Sequence, residues 1–462
     1  MGRYGGRKGF RSAPAILGIV GKGAIARYFG VLGLLVPLVI YMYYVLIESW
    51  CLRYFFEYLT GGANLGSDPS RYVEESSKIF TAVTGDDANG LTQNGNLHSG
   101  VIFLLITIGF NFWFIQRGLA KGIEAFCKIA MPAMVVCALI VLIRVLTLGT
   151  PDPSLPDRSI VNGLGFMWNP DLSKLGDFKT WLAAAGQVFF SISVGFGIII
   201  NYASYLTKKD DVVLSGLTSS ATNELFEVAL GGLITIPAAF VFLGASVSVG
   251  STFGLGFQTL PVVFAHMGDF GRIIGAIWFL MLFLAAVTSS LAMLQPVFAF
   301  LAEALNLSRN RAIVCLGILS TLGSFWVLYF SEGLVALDTM DFWAGTMGIF
   351  VLATVLIICF GWVFGVDKGL DEAHTGAHWR IPGFFRFVIK YLSPAYLLIV
   401  IVGFCFQSLP GYMRGLAEND VARWTLGFIG LTLVLLIGIT RLGEQRWRAA
   451  GLDIDGRFPP ND

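Results

Sequence analysis

Apolar positions run through this chain in long blocks separated by short polar connections. A helix needs about 20 residues to cross a ~30 Å hydrocarbon core. Runs of that length lie near 28–58, 97–116, 122–148, 179–206, 212–244, 270–305, 309–330, 338–365, 385–409 and 421–443. The pattern predicts an all-α membrane protein of about ten spans, with residues 1–462 forming one transmembrane domain. Residues 1–27 would be an N-terminal segment, 28–443 the spans and 444–462 a tail. The first run is too long for a signal peptide, and no small-residue cleavage site follows it. The runs at 28–58 and 270–305 exceed what a perpendicular helix needs, so tilt or protrusion is expected there.

Basic residues fall in alternate connections. Arg3, Arg7, Lys8, Arg11, Lys22 and Arg27 precede the first span, followed by Arg117 and Lys121, Lys208 and Lys209, and Arg309 and Arg311. The intervening loops 60–96 and 149–177 are acid-rich, with Glu74, Glu75, Asp86, Asp87, Asp152 and Asp157. The positive-inside rule then puts both termini in the cytoplasm of a multi-pass inner (cell) membrane protein. Only 13% of the 462 residues are charged and 55% are hydrophobic, against about 25% charged in soluble domains. That balance rules out disorder and argues against a water-soluble enzyme. The net charge of +1 gives no reason to expect nucleic acid as a partner. Six scattered cysteines form neither a metal-ligand spacing nor a disulfide framework.

One span departs from helical composition. Ser191-Ile192-Ser193-Val194-Gly195-Phe196-Gly197 sits in the middle of 179–206 and is poor helix interior. In lipid, an unwound segment is tolerated where it is buried in protein or lines a cavity, and transporters bind substrates and ions at such breaks. A Gly-rich packing face is the plainer alternative. Intramembrane polar residues fall on shared helix faces. Ile40, Tyr44 and Glu48 form one stripe, in which Tyr44 either donates to a bound carboxylate or is simply packed. Glu48 reads as a structural carboxylate bonded to a broken helix. Asn223 and Glu227, at i and i+4, either coordinate a cation or make an interhelical hydrogen bond. Ala285, Thr288, Ser289 and Met293 place two hydroxyls and a carbonyl together, which suits Na⁺; the alternative is bonding back to their own helix. Asp338 and Asp341 open the eighth span, and Glu303 ends the sixth, where a solvated end is the first reading. No nucleophile–base pair, phosphate loop or metal motif appears, so no enzymatic activity is expected.

Several long stretches, in order, resemble the neurotransmitter:sodium symporter family in its bacterial form. They are Met1 to Gly6 (MGRYGG), Tyr43 to Trp50 (YYVLIESW), Lys121 to Pro132 (KGIEAFCKIAMP), Gly186 to Tyr205 (GQVFFSISVGFGIIINYASY), Leu214 to Gly232 (LSGLTSSATNELFEVALGG), Thr288 to Pro296 (TSSLAMLQP) and Met340 to Thr346 (MDFWAGT). The resemblance implies sodium-coupled symport of an amino acid by alternating access, on a fold of two inverted five-helix repeats. It implies a substrate pocket of Ile40, Tyr44, Phe190, Ser191, Ser193, Phe196, Ser289 and Met293, whose mostly apolar lining fits a hydrophobic or aromatic side chain. Ser191 and Asn223 would serve one Na⁺ site; the Ala285 carbonyl with Thr288 and Ser289 would serve the other. Glu227 stands where chloride-dependent relatives hold chloride, so no chloride requirement is expected. Asp341 would be the acidic half of an outer gate, and Glu303 with Tyr205 part of an inner one. Gln187 and Tyr202 flank these regions as supporting residues.

Family members have twelve spans, and MGRYGG resembles the cytoplasmic end of their second. The resemblance therefore implies a chain that lacks the first span and most of the second, its ten spans corresponding to the third to twelfth. The missing first broken helix carries ligands for both Na⁺ sites, so the chain as given is expected to be impaired or inactive in transport. The alternative is a non-transporting binding or regulatory membrane protein. The expected partners are a small amino acid and the lipid bilayer, and a homo-oligomer is compatible with this reading.

Overall fold

The computed structural model describes residues 1–93, 96–244 and 252–458. Three short helices, Gly2–Gly6, Ala13–Val20 and Ala24–Phe29, lead into α1 (Leu32–Thr60). The bundle continues with α2 (Ser99–Arg117), α3 (Ala125–Leu146), α4 (Phe178–Ser191), α5 (Ile198–Ala203) and α6 (Val212–Glu224). Wide π turns over Leu225–Gly232 join α6 to α7 (Leu233–Leu243). Then come α8 (Asp269–Leu305), α9 (Arg309–Tyr329) and α10 (Val335–Met340). A second run of π turns, Asp341–Gly348, leads to α11 (Ile349–Ile358), followed by α12 (Ser393–Gln407) and α13 (Asp420–Ala449). Among the described residues the β structure is a two-residue ladder, Thr92–Gln93 against Asn96–Leu97.

Nine helical stretches among the described residues are long and apolar enough to cross a membrane. The tenth expected span, 179–206, is present as two short helices, α4 and α5. It ceases to count as one crossing helix because residues 192–197 are not helical. That interruption is the one the sequence pattern pointed to.

Local chemistry fixes the element ends. The Asn419 side chain accepts from the Ala422 amide at the start of α13, Asp420 lies in its first turn, and Arg446 and Arg448 lie in its last. Asp211 caps α6 by accepting from the Val213 and Leu214 amides. Those bonds, led by the amide of His378, hold its carboxyl down at about 2.

The core is organised on α1, which α8 follows along its length, with α2 and α9 on its other sides. Tyr54 stacks on Phe279 at 4.6 Å, and Trp50 meets Phe257 edge-on at 5.8 Å. The outward faces of α12 and α13 are apolar, with Ile399, Phe406, Leu431 and Val434 exposed. An apolar perimeter of this kind fits lipid rather than water.

The N-terminal segment 1–27 packs into the bundle. Every residue of Ala13–Val20 is buried. Arg3 bonds the carboxylate of Glu372 at 2.9 Å, and the wholly buried Arg27 lies 2.7 Å from Glu444.

Candidate functional site

The interruption between α4 and α5 has a backbone cause. Ser193, Gly195 and Gly197 take left-handed φ values of 56°, 82° and 73°. At Gly195 a Cβ would lie 2.5 Å from the Ile349 carbonyl oxygen, and at Gly197 one would lie 2.1 Å from that of Gly33. Both positions therefore need glycine for conformation and for space. No backbone amide among the described residues bonds to the carbonyls of Ser191 to Phe196. Ser191, Ser193 and Phe196 of this stretch line a cavity of about 470 Å³.

Seven of the eight expected substrate-pocket residues line that cavity: Tyr44, Phe190, Ser191, Ser193, Phe196, Ser289 and Met293. Ile40 does not. It is fully buried in the core, one helical turn below Tyr44, where the cavity has already ended. The expected sodium-site residues Asn223, Ala285 and Thr288 also reach the wall, as does Glu227. Sequence periodicity missed Met134 and Ala138 of α3, and Phe226, Leu230, Gly231 and Ile234 beyond α6. Met281 and Ala292 were within reach, because they extend the Ala285–Ser289 stripe by one turn at each end.

Two polar clusters stand out in this wall. In the first, the Asn223 amide donates to the Ser191 hydroxyl, which donates to the Glu227 carboxylate. The Gln187 amide donates to the other Glu227 oxygen. Gln187, expected only to flank the site, is thus a direct partner of its carboxylate. The π turns begin at Leu225, between Asn223 and Glu227, and such turns recur at functional sites. In the second cluster, Thr288 donates to the Ala285 carbonyl at 2.8 Å. That is the back-bond weighed at the sequence level, and it leaves two hard oxygens side by side with lone pairs to spare. Tyr44 and Ser289 lie next to each other in the wall.

The remaining expected residues lie away from the cavity. Asp341 accepts from the Tyr43 hydroxyl at 2.6 Å, so its partner here is a phenol. Glu303 is not a solvated helix end. It accepts from the Arg11 amide at 2.7 Å and the Ser12 hydroxyl at 2.8 Å, just before the helix Ala13–Val20. Arg11 in turn lies 4.3 Å over the Tyr205 ring, which brings Glu303 and Tyr205 into one cluster. Glu48 bonds Asn111 at 3.1 Å and Ser290, not the broken helix. Among the described residues no group of three or more His, Cys, Asp or Glu side chains is placed to hold a metal ion.

A multi-span bundle with a helix broken beside an oxygen-lined, mostly apolar cavity defines a membrane transporter of the broken-helix class. The model of the Sodium:neurotransmitter symporter family matches residues 69–443, and the chain belongs to that family. An uncharacterized sodium-dependent transporter of Methanocaldococcus jannaschii is 26% identical over 396 residues, 85% of this chain and 76% of that one. One from Haemophilus influenzae is 28% identical over 404 residues, covering 84% and 81%. The crystal structure of MhsT in complex with L-phenylalanine superposes with a TM-score of 0.69 at 25% identity, over 85% of this chain and 88% of that one. The activity is sodium-coupled solute transport across a membrane.

Proposed function

We propose that the solute is an amino acid with a hydrophobic or aromatic side chain, moved with Na⁺ by alternating access. The carrying observation is the cavity itself. Its volume of about 470 Å³ is within the usual range for small-molecule sites, and aliphatic, aromatic and Met side chains together form most of its wall. The phenylalanine bound by MhsT supports the same class. Tyr44 is suited to donate to the substrate carboxylate, with Phe190 and Phe196 against its side chain. Ser191 and Asn223 would ligate one Na⁺; the Ala285 carbonyl, Thr288 and Ser289 would ligate the other. Glu227 supplies a fixed negative charge beside the first cluster, so we expect no chloride requirement. Asp341, with Glu303 and Tyr205 at the opposite end, would open and close the two sides. The charge pattern of the connections favours cytoplasmic termini.

The wall is open on one side. No residue of α6 is buried, although it carries Ser215, Thr218, Ser219, Ser220 and Thr222. We therefore expect the 462-residue chain by itself to bind substrate weakly and to accumulate little or none. The same opening favours a second reading, a membrane protein that binds without transporting. Uptake of radiolabelled Phe, Leu and Trp into proteoliposomes under a Na⁺ gradient tests both. Robust Na⁺-driven accumulation would overturn the impairment and the binding-only reading. Absence of Na⁺-dependent binding of every hydrophobic amino acid would overturn the substrate class. Exchanging chloride for gluconate should change neither measurement.

A further inference from the structure

A polar cleft of about 720 Å³ opens between the turn before the Ala24–Phe29 helix and the segment after α13. Four cations line it: Lys22, Lys368, Arg448 and Arg457. Its one acid among the described residues is Asp455, already shared by Arg27, Arg448 and Arg457 at 2.5, 3.1 and 3.7 Å. Glu444, just outside, is likewise held by Arg27 and Arg448. Five cations therefore face two carboxylates. Lys22 has no ion-pair or hydrogen-bond partner among the described residues, and Lys368 reaches only the Tyr4 hydroxyl and the Tyr4 and Phe364 rings. Such an excess of like charge is self-repelling unless an anion enters. Phe458, an exposed aromatic side chain, lies in its wall. The four cations are exposed, and cations beside an exposed aromatic ring at the end of a membrane span match a phosphate group held at the lipid surface.

We propose that this cleft binds a phosphate-bearing anion, with Lys22, Lys368, Arg448 and Arg457 as its donors. The two sources of that chemistry are an anionic phospholipid headgroup and free inorganic phosphate. Bound there, the anion ties the segment after α13 to the Ala24–Phe29 helix.

The test is thermal unfolding of the purified chain in maltoside micelles. Phosphatidylglycerol, phosphatidylcholine and, separately, inorganic phosphate at constant ionic strength are titrated in. Phosphatidylglycerol should raise the melting temperature saturably, whereas phosphatidylcholine should not. A rise with inorganic phosphate that competes with the lipid assigns the site to free phosphate, and its absence assigns it to the headgroup. The double variant Lys22→Ala with Arg457→Ala leaves Asp455 its bonds to Arg27 and Arg448. It should melt as the parent does without ligand and bind about thirtyfold more weakly. Equal shifts with both lipids and none with phosphate, or full retention of the shift in the double variant, would overturn the proposal. If the double variant already melts low, Lys22→Ala alone, whose side chain bonds nothing, replaces it with the same criterion.

Discussion

The break between α4 and α5 depends on one close approach, and Gly197→Ala probes it. Gly197 has φ +73°, and its missing Cβ would lie 2.1 Å from the Gly33 carbonyl oxygen and 2.8 and 2.9 Å from the Gly33 carbon atoms. Two costs follow. Holding alanine in the left-handed region costs about 1 kcal/mol or somewhat more. Restoring ordinary contact means moving the segment and the start of α1 apart by over 1 Å, and overpacking of that kind costs ~1–3 kcal/mol. Neither neighbour is a flexible side chain, so the strain has no easy outlet. Gly149→Ala is the control. Gly149 has a similar φ of +65° with no heavy atom within 4 Å of a Cβ, so it carries only the first cost. Thermal unfolding in detergent should rank parent, then Gly149→Ala, then Gly197→Ala. Na⁺-dependent ligand binding should weaken only in Gly197→Ala, because Ser191 and Ser193 move with the segment. If Gly197→Ala melts with the control and binds Na⁺ and ligand as the parent does, the claim that this contact sets the break is wrong.

Tyr43→Phe removes the donor to Asp341 and leaves that carboxyl without its 2.6 Å partner. The expected loss is ~1.5–3 kcal/mol, read as a lower unfolding temperature. Glu48→Gln keeps the volume and an acceptor for Asn111 and Ser290 and should stay within ~1 kcal/mol of the parent. Glu48→Ala strands both donors in a cavity and should lose ~3–5 kcal/mol; equal melting of the two variants would refute the network. Burial alone would raise the pKa of Asp453, yet the Lys8 ammonium and the Phe458 and Arg457 amides win and hold it at about 2. Because the folded value is depressed, its contribution is complete above about 4 and disappears as pH falls through about 2. Amide exchange at Arg457 and Phe458, corrected for intrinsic rate, should stay protected at pH 5 and lose protection only below about 4.

What the sequence made legible followed helical repetition and glycine. Tyr44, Ser289 and Met293 announced themselves because 3.6-residue spacing gathers them on one face of α1 or α8. The interruption was readable because Gly195 and Gly197 favour left-handed backbone; Ser193, which also adopts it, gave no such sign. Ile40 shares the face of Tyr44 yet does not line the cavity, because a shared face does not say where a cavity ends along the helix. Gln187 was missed as a Glu227 partner because their pairing crosses from α4 to the π turns after α6, and a π turn leaves no mark in composition. Glu303 read as solvated for a related reason. Its partners, Arg11 and Ser12, lie 292 and 291 residues away, in a stretch whose basic residues looked like a free loop.

The irregular backbone at the cavity level has a functional logic. A regular helix consumes its carbonyls internally and offers an ion nothing but side chains. Here one wall element is unwound over 192–197, and the next leaves α geometry just where Asn223 gives way to Glu227. The price in lipid is severe unless something polar enters, and the carbonyls of Ser191 to Phe196 accept from no backbone amide among the described residues. A cation in the cavity supplies what the backbone gave up. It stabilises the arrangement that binds it by an amount that grows with its concentration, about 2.7 kcal/mol at a hundredfold excess over its dissociation constant. Because Ser191 and Ser193 flank the same break and also line the cavity that would take substrate, ordering one ligand set orders the other. Coupling between ion and solute then needs no distant relay, because both act on a single short stretch of unsatisfied backbone.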